Sequence, residues 1–101
     1  MVQLIVDPEK FHGKRIAVVG FLNIEFEGNA LYLHKEDFRS RIGDNAIGVN
    51  VMPNWLSSTQ CKNQTYVRLV GIFNAKNTGH MGGRPAGSIE EIELCRQWSS
   101  D

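Results

Sequence analysis

No run of about eighteen apolar residues occurs anywhere in this chain, so no segment reads as a membrane-spanning helix. The first seven residues, Met1-Val-Gln-Leu-Ile-Val-Asp7, lack the basic start and long apolar stretch of a secretory signal, and a cytoplasmic protein is the expectation. An excess of one charge is missing too. Eleven basic residues face eleven acidic ones, so the net field neither gathers nor repels a polyanion, and nucleic-acid binding would need a local basic patch. The clusters Lys10/Lys14/Arg15 and Lys35/Arg39/Arg41 each have acids beside them, Asp7 and Glu9 or Glu36 and Asp37, and read as solvated faces.

Cysteine is scarce. Cys61 and Cys95 could form one disulfide, but their spacing is neither a metal-ligand nor a redox motif, and free thiols in a reducing cytosol are the plain expectation. The three histidines, His12, His34 and His80, lie in separate predicted elements without an H-x-x-x-H or C-x-x-C companion; no metal and no cofactor are expected. Nothing resembles a phosphate loop, because Gly79-His-Met-Gly-Gly-Arg84 joins two predicted strands and lacks the lysine and hydroxyl of that motif. No catalytic residue is assigned.

What is present is a small globular domain. The chain has 101 residues, 42% hydrophobic and 22% charged, enough for one core and too little for two. Val2 to Val6 is a short apolar run able to plug one end of a core through Val2, Leu4 or Ile5, and Asp7-Pro8 then starts a helical turn that ends near Gly13. From Arg15 the pattern has period two, with Ile16, Val18, Gly20, Leu22, Ile24 and Phe26 on one face, which means a long strand. Its first half is apolar on both faces and its second half on one, predicting a strand that enters a barrel and leaves at an edge, with a bend or bulge at Gly20.

Glu27-Gly-Asn29 reads as a hairpin turn returning into a second strand over Ala30 to His34, antiparallel to the first. Phe38 and Ile42, four apart in a polar stretch, predict a short helix stopped by Gly43. A third strand spans Asn45 to Val51, with Ile47, Val49 and Val51 on one side, and Pro53 ends it. Trp55 and Leu56 then fit an amphipathic turn against the barrel. Tyr66 to Ala75 and Ser88 to Arg96 complete five strands, the element order of a small OB-like antiparallel β-barrel with short helical segments.

The blocks Asp7-Pro-Glu-Lys-Phe-His-Gly-Lys14, Phe26-Glu-Gly-Asn-Ala-Leu-Tyr-Leu33 and Gly79-His-Met-Gly82 resemble recurring segments of small, poorly characterised bacterial proteins with an OB-like barrel. That resemblance implies the fold and a bacterial origin, and no activity.

The candidate binding residues are Phe26, Trp55, Lys76, His80, Met81 and Arg84. Four of them lie in or beside the glycine-rich loop Asn74 to Gly87 between the fourth and fifth strands, where a hydrogen-bonding ring, a soft apolar side chain and cations share one long loop. Phe26 lies past the evenly apolar part of the first strand, and Trp55 sits in a connector. The expected function is a non-catalytic module that binds another protein through that loop and the hairpin at Glu25 to Asn29. One alternative is a single-stranded nucleic-acid binder using exposed aromatics with Arg68, Lys76 and Arg84. Another is a small-ligand protein or enzyme using His80 and a neighbouring acid. Paired acids such as Glu25 and Glu27, or Glu90, Glu91 and Glu93, read as solvent-facing strand positions, and the aromatics Phe21, Tyr32, Tyr66 and Phe73 as core.

Overall fold

The alternating apolar residues close into a ring. In the computed structural model, which describes residues 2–25, 29–77 and 86–98, five strands are hydrogen-bonded in the order β1 (Arg15–Asn23), β2 (Ala30–Tyr32), β3 (Ala46–Val49), β5 (Ser88–Gln97) and β4 (Tyr66–Asn74), with β4 pairing back onto β1. This is a mainly β, OB-like barrel. One feature of the expected architecture needs correction: the barrel is not wholly antiparallel. Four seams are antiparallel, and the fifth, between β3 and β5, is parallel through Gly48↔Ser88 and Val49↔Ile89. The reason is parity, since strands that alternate in direction around a closed ring must be even in number; a five-stranded ring leaves one seam parallel.

One face of each strand fills the barrel. Val18 and Leu22 of β1, Leu31 of β2, Ile47 and Val49 of β3, Val67, Leu69 and Phe73 of β4, and Ile89 of β5 form the interior core. Helix α1 (Val2–Val6) inserts Leu4 into this core, while Val2 stays largely exposed. The half-buried side chains of Trp55 and Leu56, on α3 (Trp55–Ser58), pack on it as their spacing predicts.

A second cluster lies outside the barrel. Phe21, Ala30, Tyr32 and Ala46 point outward from β1, β2 and β3, and helix α2 (Lys35–Arg39) covers them with Phe38; Tyr66 of β4 packs at the side. Ring centroids are 5.5 Å apart for Phe21 and Phe38, 5.4 Å for Phe21 and Tyr66 and 5.6 Å for Tyr32 and Phe38, within the range of favourable tilted and edge contacts. Asp37 anchors the helix by accepting the His34 amide at 3.0 Å and the Asn45 carboxamide at 3.1 Å. The Lys35 amide donates to the Tyr66 hydroxyl at 2.9 Å. Helix α2 stops at Ser40 rather than Gly43, because Arg41 takes a left-handed φ of 55°.

This outer layer reverses the expectation for β1. Its first residues, Arg15 and Ala17, are exposed, and Gly20 to Asn23 are buried, because α2 and Tyr66 cover the outward side of the second half. Gly20 is also not a bulge, since the β1–β4 register runs unbroken from Arg15↔Ile72 to Phe21↔Tyr66. A Cβ there would come within 2.6 Å of the Tyr32 carbonyl oxygen and 2.8 Å of Leu31 Cγ, so glycine permits the close approach of β2. The irregularity is in β5 instead. Between Val70↔Leu94 and Ile72↔Glu90, β4 advances two residues and β5 four, with Glu91 at a φ of 48°.

Cys61 and Cys95 form a disulfide, with Cα atoms 6.1 Å apart, which corrects the expectation of free thiols. The pairing follows from the fold: Cys95 faces inward opposite Leu69, and the connector after α3 lays the buried Cys61 against it.

Candidate functional site

The parallel seam brings two loop stems to one edge of the barrel. The Val49 amide donates to the Asn29 carbonyl at 3.1 Å, holding the foot of the β1–β2 hairpin, and the Asn50 amide donates to the Ile89 carbonyl at 3.0 Å, holding the foot of the β4–β5 loop. Two consecutive residues at the end of β3 therefore bind both stems.

Around this junction three carboxamides converge on one carboxylate. Glu90 accepts Asn77 Nδ2 at 2.8 Å and Asn50 Nδ2 at 3.2 Å on Oε2, and Asn74 Nδ2 at 3.4 Å on Oε1. The Asn77 bond is the largest influence on its titration; together with the Asn50 and Asn74 bonds it outweighs partial burial and holds the Glu90 carboxyl below its ordinary value. Ser88 Oγ donates to the Asn77 carbonyl at 2.7 Å, and the Asn74 carboxamide oxygen accepts the Lys76 amide at 3.0 Å. From the other side, His12 Nδ1 accepts the Ala75 amide at 3.1 Å, and the Gly13 amide donates to the Phe73 carbonyl at 2.8 Å. Asn50 gives one of its carboxamide hydrogens to Glu90, and a carboxamide has four hydrogen-bonding positions with which to meet an outside polar backbone.

Of the candidate residues, Lys76 is exposed beside this network, and Trp55 is half-buried on the interior core, away from an open face. Phe26, His80, Met81 and Arg84 lie outside the described residues, as does the hairpin turn at 26–28. The Glu90 network escapes sequence reading because its members come from the ends of three strands. The nearest sequence signal is Asn74-Ala-Lys-Asn77 at the mouth of a loop.

Other groups weighed from the sequence are occupied separately. Glu25 accepts Arg41 Nη1 at 3.1 Å, and Glu93 pairs with Arg15. Phe21, Tyr32 and Phe73 are buried and Tyr66 is half-buried. The disulfide leaves neither cysteine as a thiol nucleophile. Among the described residues no three of His, Cys, Asp and Glu gather into a group that could hold a metal, and no helix is long and apolar enough to cross a membrane.

These features define a closed, mainly β barrel with a polar loop edge. Comparison with known proteins returns no matching family model, no matching curated protein and no matching solved structure.

Proposed function

We propose that this chain is a non-catalytic binding domain whose partner is another protein, held at the edge where the β1–β2 and β4–β5 stems meet. The observation that carries the reading is the junction at Val49 and Asn50, which fixes both stems to the same two residues, with the Glu90 network beside them. A loop on such a base is positioned by a rigid scaffold, a usual arrangement in protein recognition. Hydrogen-bonding side chains at the stem suit the rim of a protein interface better than a dry ligand cavity.

Single-stranded nucleic acid fits this domain less well. The outward aromatics of β1 and β2 lie under α2 instead of offering stacking surfaces, and net charge is zero. The resemblance to small bacterial barrel proteins belongs to the same proposal. So does cytoplasmic residence, on the condition that Cys61 and Cys95 are kept reduced there; trapping the thiols of protein taken directly from cells decides it, and a bond already present at that moment assigns an oxidising compartment instead.

The test replaces His80 and Met81 together by Ala. Affinity capture followed by a binding titration is expected to yield a protein bound by the wild type and released by the variant, with an unchanged melting temperature. A partner bound equally by both forms, or a variant that unfolds, rejects the loop edge as the contact.

A further inference from the structure

The outer face of the β1–β4–β5 sheet carries an arrangement that the loop edge does not use. Val67 and Leu69 are buried in the core, so Arg68 between them points outward, and the register sets Arg96 directly opposite it, with Val19 on its other side. Two guanidinium groups therefore share one row, half-buried at Arg68 and exposed at Arg96. Like charges directly opposite across a strand pair repel. Arg15 is compensated by Glu93 and Arg41 by Glu25, whereas among the described residues no acid pairs with Arg68 or Arg96.

The next row toward the C-terminal end of β5 is aromatic. The Trp98 amide donates to the Tyr66 carbonyl at 2.9 Å, which extends the ladder one step beyond Gln97 and sets Trp98 beside Tyr66. Trp98 is 49% exposed. Its ring borders a cleft of about 330 Å³ lined by Val19, Gly20, Leu33, His34, Tyr66 and Trp98. Cleft and arginine pair are thus adjacent rows of one face.

We propose that this face binds an extended segment of a partner protein carrying a carboxylate two residues from an aromatic or large aliphatic side chain. The apolar side chain occupies the cleft, and the carboxylate sits between Arg68 and Arg96. The spacing follows from strand geometry. Tyr66 to Arg68 and Arg96 to Trp98 are both steps of two residues, about 6.6 Å, the distance at which an extended segment repeats side chains on one side. The carboxylate relieves the repulsion between the two guanidinium groups and accepts hydrogen bonds from their planar forks. A nucleic-acid strand fits worse, because the next cation on this face, Arg15 of β1, is already paired with Glu93. The surface is at the far end of β4 from the loop edge, about 26 Å by strand rise, so it is a second contact independent of that proposal.

The experiment presents a randomised twelve-residue peptide library to the wild type, to an Arg68→Gln/Arg96→Gln double variant, to Trp98→Ala and to His80→Ala/Met81→Ala. Melting curves first establish that each variant is folded. The expected result is enrichment on the wild type and on the loop variant of peptides with Asp or Glu two residues from an aromatic or aliphatic residue. Titration of one such peptide should show at least tenfold weaker binding to the arginine variant and to Trp98→Ala, and equal loss when its acid is changed to the amide. No enriched pattern, a pattern retained by the arginine variant, or arginine-dependent preference for an oligothymidine over every peptide overturns the proposal. So does a concentration-dependent dimer of the wild type that the arginine substitutions abolish, which would assign the face to a second copy of the chain.

Discussion

Reducing the Cys61–Cys95 bond is the perturbation whose size follows most directly from the fold. The bond closes a loop with a sequence separation of 34 residues, and in the chain-entropy account that closure removes about 4 kcal/mol of unfolded-state freedom at 25 °C. A domain of this size has a net stability of about 5–15 kcal/mol, so loss of the bond removes a large share of it. At roughly 4–8 °C per kcal/mol, the melting temperature should fall by about 15–30 °C. The assay is thermal and urea denaturation of the oxidised protein, the protein reduced in situ, and a Cys61→Ala/Cys95→Ala variant. Reduction leaves the native contacts in place, and the variant also removes sulfur from a buried position, so the variant should be the less stable of the two. The urea dependence of the free energy should steepen on reduction as the unfolded chain expands. Oxidised and reduced forms that melt within about 2 °C of one another would refute the reasoning, because closure entropy of this size cannot then be acting.

Gly20→Ala should destabilise the domain by about 2–3 kcal/mol in urea denaturation, because the new Cβ meets a backbone carbonyl that cannot move without displacing β2. Glu90→Gln tests the loop-stem network through its pH dependence. The folded carboxyl titrates below its unfolded value, so its contribution is complete above about pH 4.5 and disappears as pH falls through the folded value. The variant should be less stable than wild type near pH 7 and lose the gap at acid pH; a constant gap across that range refutes the assignment. Arg96→Gln should raise stability by roughly 0.2–1 kcal/mol by removing a like-charge neighbour, measured as a higher melting temperature at low salt. Phe38→Ala should cost about 2–4 kcal/mol and increase binding of a hydrophobic dye as the outer aromatic cluster opens.

The strands were legible because period-two alternation is local: Ile47, Val49 and Val51 point inward whatever they pair with, and so do Val67, Leu69 and Phe73. What depends on a distant partner was not. The burial of Phe21 on the outside of β1 requires α2, seventeen residues later, to fold back over it. The extra residues at Glu91 to Glu93 follow the same alternation as a regular strand until β4 is laid beside them. At the candidate site the loop was recognisable from its glycines, but Asn50 and Glu90 meet across 40 residues and carry no mark of it. The arginine row was invisible for a related reason. Arg68 could be named as a cation, but its repulsive neighbour is assigned only by register.

The odd number of strands has a dynamic consequence. The parallel seam is the shortest in the ring, two paired positions against seven on each flank of β4, so it is where the barrel can open at least cost while the other ladders stay intact. Such an opening exposes the amides of Gly48 and Asn50 to hydrogen exchange well below the free energy of global unfolding. It also releases the foot of the long β4–β5 loop, because the Asn50–Ile89 bond crosses this seam, while the Val49–Asn29 bond stays with the β2–β3 ladder and keeps the hairpin foot in place. The long loop then moves on a hinge line that the hairpin side of β3 keeps fixed, and a partner that grips the loop slows exchange at the seam beneath it.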